Sequence, residues 1–151
     1  MSDYKTPLKD INKIDKNIKI VFITSEFNRD YTSRLEALNE HFLKENGFSN
    51  IERYNVPGAF EIPAFTKKII EIKKPDLIIC LGVVVRGETT HYDMVAGESA
   101  RGIMNISIES KTAMINGILT CENFEQVEAR VNYSAAVSGL NLLSELVKIR
   151  G

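Results

Sequence analysis

The chain has 151 residues, enough for one compact domain with its own core. It is 44% hydrophobic and 26% charged, an ordinary balance for a globular protein, and its 19 basic and 20 acidic residues leave a net charge of -1. That balance offers no basic surplus for nucleic acid or an anionic membrane surface. The longest apolar run, Leu77 to Val85, is too short to span a bilayer, and the N-terminal MSDYKTPLKDINKIDKN lacks the apolar core of a secretory signal. Cys80 and Cys121 fall in or just after strand-like segments without metal or disulfide spacing. They are expected to be buried free thiols in a cytoplasmic protein.

In chain order, residues 1–17 are polar and aperiodic and read as an N-terminal arm; residues 18–151 form a single domain. Ile18 to Thr24 is a β-branched run and predicts a buried strand. Tyr31, Leu35, Leu38 and Phe42 follow at helical spacing, with Gly47 as a stop. Ile51 to Val56 predicts a second strand, halted by Pro57-Gly58. A second helix carries Phe60, Phe65, Ile69 and Ile72 on one stripe and ends before Pro75. Asp76 to Val85 is nearly all apolar, as a strand covered on both faces requires. A third helix runs from the loop at Arg86–His91 to about Ile108, and Ala113 to Thr120 makes a fourth strand. Phe124, Val127 and Val131 mark a fourth helix, and Leu140, Leu143 and Val147 a last one.

Strands alternating with helices imply βαβ units: an α/β, flavodoxin-like three-layer sandwich around a four-stranded parallel sheet. So small a sheet is expected to have its edges covered by a neighbouring subunit. Ligands of such folds bind beyond the carboxyl ends of the strands. Those ends are Ser25 to Asn28, Pro57 to Glu61, Arg86 to His91 and Thr120 to Glu122.

RGETTH, Arg86 to His91, joins a buried strand to a helix, where a glycine turn and free N–H groups favour an anion. Thr89 and Thr90 can cap the helix or donate to that anion. His91 can trade protons near neutrality or stand as a surface residue on a capped helix; His41, on the first helix with no polar cluster beside it, reads as a surface residue. In VPGAFEIP, Glu61 either hydrogen-bonds a polar heterocycle or complements a helix N-terminus. Phe27 could stack on a planar ring or pack over its strand end. Arg130 could grip a phosphate bidentately or sit on a solvated face. Dinucleotide and triphosphate loops, zinc-ligand spacing and a Gly-x-Ser-x-Gly elbow are missing from the sequence.

Taken together, EFN after the first strand, VPGAFEIP, LGVVVRGETTHYD and GILTCENFEQVEAR resemble the lumazine synthase family in order and spacing, from about Ile18 to Arg130. The resemblance implies a cofactor-free transferase of riboflavin biosynthesis. It would condense 5-amino-6-ribitylaminouracil with 3,4-dihydroxy-2-butanone 4-phosphate. It further implies that Phe27 stacks on the pyrimidine and that Ala59, Phe60, Glu61, Val83, Val84 and Val85 line the ribityl and pyrimidine site. Glu88, Thr89 and Arg130 would hold the phosphate, and His91 would transfer protons; no metal takes part. Family members form homopentamers, in some cases twelve of them closing a sixty-subunit shell, with active sites shared between neighbours.

Two positions depart from the family pattern. Asn116 stands on the fourth strand where many members place an aromatic over the substrate ring. VNYSAAVSG replaces a Gly- and Lys-rich turn, leaving no lysine until Lys148. A competing reading is a catalytically weak flavin- or lumazine-binding shell protein on the same scaffold. An unrelated flavodoxin-like mononucleotide binder would leave VPGAFEIP unexplained.

Overall fold

The computed structural model describes residues 5–151. The elements are β1 (Ile20–Ser25), α1 (Arg29–Glu45), β2 (Ile51–Val56), α2 (Ile62–Lys73), β3 (Leu77–Val85), α3 (His91–Glu109), β4 (Ala113–Cys121), α4 (Phe124–Arg130) and α5 (Ser134–Arg150). A short 3-10 turn, Ala59–Glu61, precedes α2. All four strands run parallel in the order β2-β1-β3-β4. This is the expected three-layer α/β sandwich.

The inner strands β1 and β3 explain the two apolar runs. Alternate side chains point to opposite faces. Ile20, Phe22, Leu77, Ile79 and Leu81 pack against Leu35 and Leu43 of α1, Val127 of α4 and Leu140 of α5. Val21, Ile23, Ile78 and Cys80 pack against Ile62 and Ile69 of α2 and Val95 and Ile103 of α3. The outer strands β2 and β4 bury only part of their length. Cys80 and Cys121 are both free and buried. Burial pushes the Cys80 thiol up to about 12, so it is inert as a nucleophile.

Two helical stripes differ from the apolar spacing. On α1 the buried positions are Thr32, Leu35, Asn39 and Leu43, whereas Leu38 is 39% exposed. The stripe is turned because Asn39 enters the core with its amide fully engaged, donating to Leu35 O and Asn132 O and accepting from Ala136 N. Tyr31 and Phe42 are half-buried instead, stacked on Phe124 and Tyr133. On α2 the buried residues are Ile62, Thr66 and Ile69. Phe60 belongs to the preceding 3-10 turn, and Ile72 is 74% exposed. Thr66 takes a core position by pairing its hydroxyl with Cys80 Sγ at 3.8 Å. His41 is exposed on α1 beside Glu45.

The first four residues of the expected arm lie outside the described residues. Beyond them, Lys9 N donates to Asn141 Oδ1 at 2.8 Å and Ser144 Oγ to Asp10 O at 2.8 Å, so this stretch lies along α5. Ile14, 4% exposed, enters the core. No described helix is long and apolar enough to cross a membrane.

Gly117 lets α5 and β3 close on β4. A Cβ there would stand 2.8 Å from Leu81 Cδ2, 2.9 Å from the Cys80 carbonyl oxygen and 3.2 Å from Ala135 Cβ. The Cys80 backbone cannot yield as a flexible side chain would. Gly117→Ala is therefore expected to destabilise the fold by about 1–3 kcal/mol, read as a lower midpoint in urea at unchanged slope.

Candidate active site

Parallel strands deliver their carboxyl ends to one edge of the sheet, and backbone bonds tie the loops there together. Glu26 N donates to Val56 O at 2.8 Å and Phe27 N to Pro57 O at 3.0 Å, joining the loop after β1 to the turn after β2. Arg86 N donates to Cys121 O at 2.9 Å, joining the ends of β3 and β4. Asn28 adopts the left-handed conformation, φ 62° and ψ 45°. Its Nδ2 donates to Val83 O at 2.9 Å, fastening the start of α1 to β3. Asparagine tolerates that backbone better than most residues. The turn holds Phe27 71% exposed at the rim.

These loops enclose a cavity of about 340 Å³. Of the predicted residues, Phe27, Ala59, Phe60, Glu61, Val83, Val84, Val85, Thr89 and His91 line it. Gly58, Gly87, Tyr92 and Val95 complete the wall. Aliphatic walls bearing a few polar groups suit a planar, polar organic ligand. Glu88 is exposed on the loop and does not line this cavity. Asn116 and Arg130 line a different cleft of about 180 Å³, together with Asn39, Asn132, Ser134 and Ser138. A larger cleft of about 610 Å³ lies at the other end of the sheet, beside Pro75, Asp76 and Thr112. Its position at the amino ends of β3 and β4 sets it apart from the ligand edge of a parallel fold.

Charge is distributed unevenly around the site. Arg86 donates from Nε to Glu122 at 2.8 Å and from a terminal nitrogen to Asp93 at 3.3 Å. Its guanidinium also lies 4.3 Å from the centre of the Tyr92 ring. Hydrogen bonding to Glu122 raises its pKa further, so Arg86 spends its charge in fixing the loop. Thr89 Oγ1 accepts from His91 N at 3.3 Å, while Thr90 makes no side-chain cap on α3. Arg130 donates to Gln126 O at 3.0 Å and forms no ion pair among the described residues. Burial raises the Cys121 pKa, and the Arg130 charge opposes that rise only in part. No group of three or more His, Cys, Asp or Glu side chains among the described residues is placed to hold a metal ion.

The family model described as 6,7-dimethyl-8-ribityllumazine synthase matches residues 17–149. Proteins named 6,7-dimethyl-8-ribityllumazine synthase from Campylobacter jejuni strains 81-176 and RM1221 are 38% identical to this chain over 138 residues, covering 90% of each sequence. One from Campylobacter jejuni subsp. doylei is 37% identical over the same length. The chain belongs to the 6,7-dimethyl-8-ribityllumazine synthase family. It is accordingly a transferase of riboflavin biosynthesis.

Sequence reasoning noted Asn28 only as the end of the first strand. Its role as the link between α1 and β3 depends on a positive φ, for which an Asn directly after a strand is the available sequence signal. Tyr92 and Val95 escaped notice because the α3 stripe facing the cavity begins inside the motif itself. Asn28→Ala is expected to cost about 2–3 kcal/mol, combining left-handed strain with the lost bond to Val83. Asn28→Gly removes the strain and should cost about 1 kcal/mol. Chemical denaturation of both variants checks the difference.

Proposed function

We propose that this chain catalyses the lumazine synthase reaction in the cavity at the carboxyl ends of β1, β2 and β3. The substrates are 5-amino-6-ribitylaminouracil and 3,4-dihydroxy-2-butanone 4-phosphate; the products are 6,7-dimethyl-8-ribityllumazine, phosphate and water. The carrying observation is the convergence of Phe27, Glu61, Thr89 and His91 from three separate loops on one apolar-walled cavity. Phe27 stacks on the pyrimidine, and Glu61 accepts hydrogen bonds from the aminouracil or its ribityl chain. Ala59, Phe60 and Val83 to Val85 form the surrounding wall. Thr89, the loop at Glu88 and Arg130 hold the phosphate, and His91 moves protons.

The amine of the aminouracil attacks the ketone and loses water to form an imine. Phosphate then leaves, and ring closure with loss of water completes the lumazine. Amine and ketone are reactive partners, so most of the acceleration comes from holding them together. No cofactor is needed for these steps. His91→Ala is expected to lower turnover by about 10- to 100-fold, at or below the low end for a positioned acid–base group, with both KM values nearly unchanged. Impaired binding with intact turnover would remove His91 from this role.

Asn116 and Arg130 line a cleft separate from the Phe27 cavity, which supports a site completed by a neighbouring subunit of a homo-oligomer. The family's pentamer fits this arrangement, with the N-terminal arm extending a neighbour's sheet. In a sixty-subunit assembly the same contact would recur. The two free buried thiols support a reducing, cytoplasmic setting. Lumazine fluorescence on mixing the protein with both substrates, set against an enzyme-free control, tests the activity. A saturable acceleration is expected; a rate equal to the control favours a flavin- or lumazine-binding shell protein. Light scattering at micromolar concentration tests the assembly, and a monomer would refute the shared site.

A further inference from the structure

The connection between α4 and α5, Val131-Asn132-Tyr133, contains no glycine to ease a tight path. It is held from outside, by α1. Tyr31 stacks on Phe124 at 5.4 Å between ring centroids, and Phe42 on Tyr133 at 4.8 Å. Arg34 pairs with Glu128 through two bonds of 2.9 and 2.5 Å. That ion pair is half-exposed and contributes little.

Asn39 differs because it is fully buried. Its Nδ2 donates to Asn132 O at 3.1 Å and to Leu35 O at 2.8 Å, and its Oδ1 accepts from Ala136 N at 2.8 Å. The orientation of the amide follows from this set, since the flipped form would face its oxygen toward two carbonyls. Tyr133, the residue at the N-cap of α5, makes no side-chain cap. Asn39 therefore caps the first turn of α5 from another helix and fixes the chain on both sides of Tyr133. Arg130 stands two residues before Asn132 and lines the same cleft as Asn39.

We infer that Asn39 is a positioning residue for Arg130, clamping the α4–α5 turn so that the guanidinium is presented to the phosphate of the ketone substrate. The inference rests on the reading of Arg130 as the phosphate's charged partner. Unpairing Ala136 N and Asn132 O inside the protein lets the turn drift, and the affected substrate is the one Arg130 holds.

Steady-state kinetics of the full-length chain test this. Asn39→Ala is expected to raise KM for the ketone phosphate about tenfold while KM for the ribitylaminouracil stays within about twofold. In an Arg130→Ala background the same substitution should add nothing to the ketone KM. Equal rises in both KM values, or an undiminished effect without Arg130, would overturn the inference. Should Arg130→Ala leave the ketone KM unchanged, the phosphate reading of Arg130 falls. The clamp is then judged by amide hydrogen exchange alone. Faster exchange confined to residues 132–137 in Asn39→Ala upholds it, and unchanged exchange rejects it. Where Asn39→Ala does not fold, Asn39→Asp keeps the volume and the acceptor for Ala136 N but offers Asn132 no donor. A rise confined to the ketone KM is expected there; a rise shared by both substrates, or an unchanged ketone KM, rejects the clamp.

Discussion

Everything at the site depends on the four strands running in one direction. A parallel sheet needs helical crossovers, and the crossovers cover both faces, so β1 and β3 are apolar on both sides. Polar chemistry is thereby driven out of the sheet and into the loops where the strands end. Those loops are not free to wander. Phe27 N bonds Pro57 O, Arg86 N bonds Cys121 O and Asn28 Nδ2 bonds Val83 O, so each loop is referenced to a neighbouring strand. The aromatic, carboxylate and imidazole groups inherit their positions from the sheet rather than from contacts with one another.

The strands were legible because their signal is the one burial produces directly. β2 was expected at Ile51 to Val56 and lies there, and β3 differs by one residue at its start. The helical stripes were harder to read because apolar periodicity counts only apolar residues. Asn39 and Thr66 occupy core positions through hydrogen bonds whose partners, Ala136 and Cys80, are remote in sequence. No local pattern reveals such partners, and the expected stripe settled on Leu38 and Ile72, which face outward. Ile14 was hidden for a related reason. Leu8, Ile11 and Ile14 are too few and too widely set among polar residues to mark a core-facing element, yet Ile14 packs into the core beside the sheet with Ile11 against it.

Motif reading fared better at the site, since VPGAFEIP and RGETTH each follow a strand and the parallel topology brings strand ends together. It could not distinguish the two sides of β4. Asn116 is exposed on that strand, with its Oδ1 turned to Ile118 N at 3.0 Å, and it faces the cleft of Arg130 rather than that of Phe27. Sequence order places Asn116 after His91 but carries no information about which cavity it enters. Glu88, inside the same motif as Thr89 and His91, is exposed and does not line the cavity, since a loop of five residues between β3 and α3 cannot aim every side chain inward.

The distribution of positive charge bears on the proposed phosphate role. Arg86 follows β3 directly, but Glu122 and Asp93 neutralise it while Tyr92 covers its face. Its contribution is mechanical: it braces the ends of β3 and β4 against the first turn of α3. Among the described residues Arg130 bonds only a carbonyl of its own helix and makes no ion pair. A cation that makes no ion pair gains precision only if its backbone is fixed, because a long side chain loses rotamer freedom when it grips an anion. The rigid element behind Arg130 is consequently the α1 face that holds the α4–α5 turn, and under the proposed phosphate role the guanidinium is the mobile part that this rigidity makes useful.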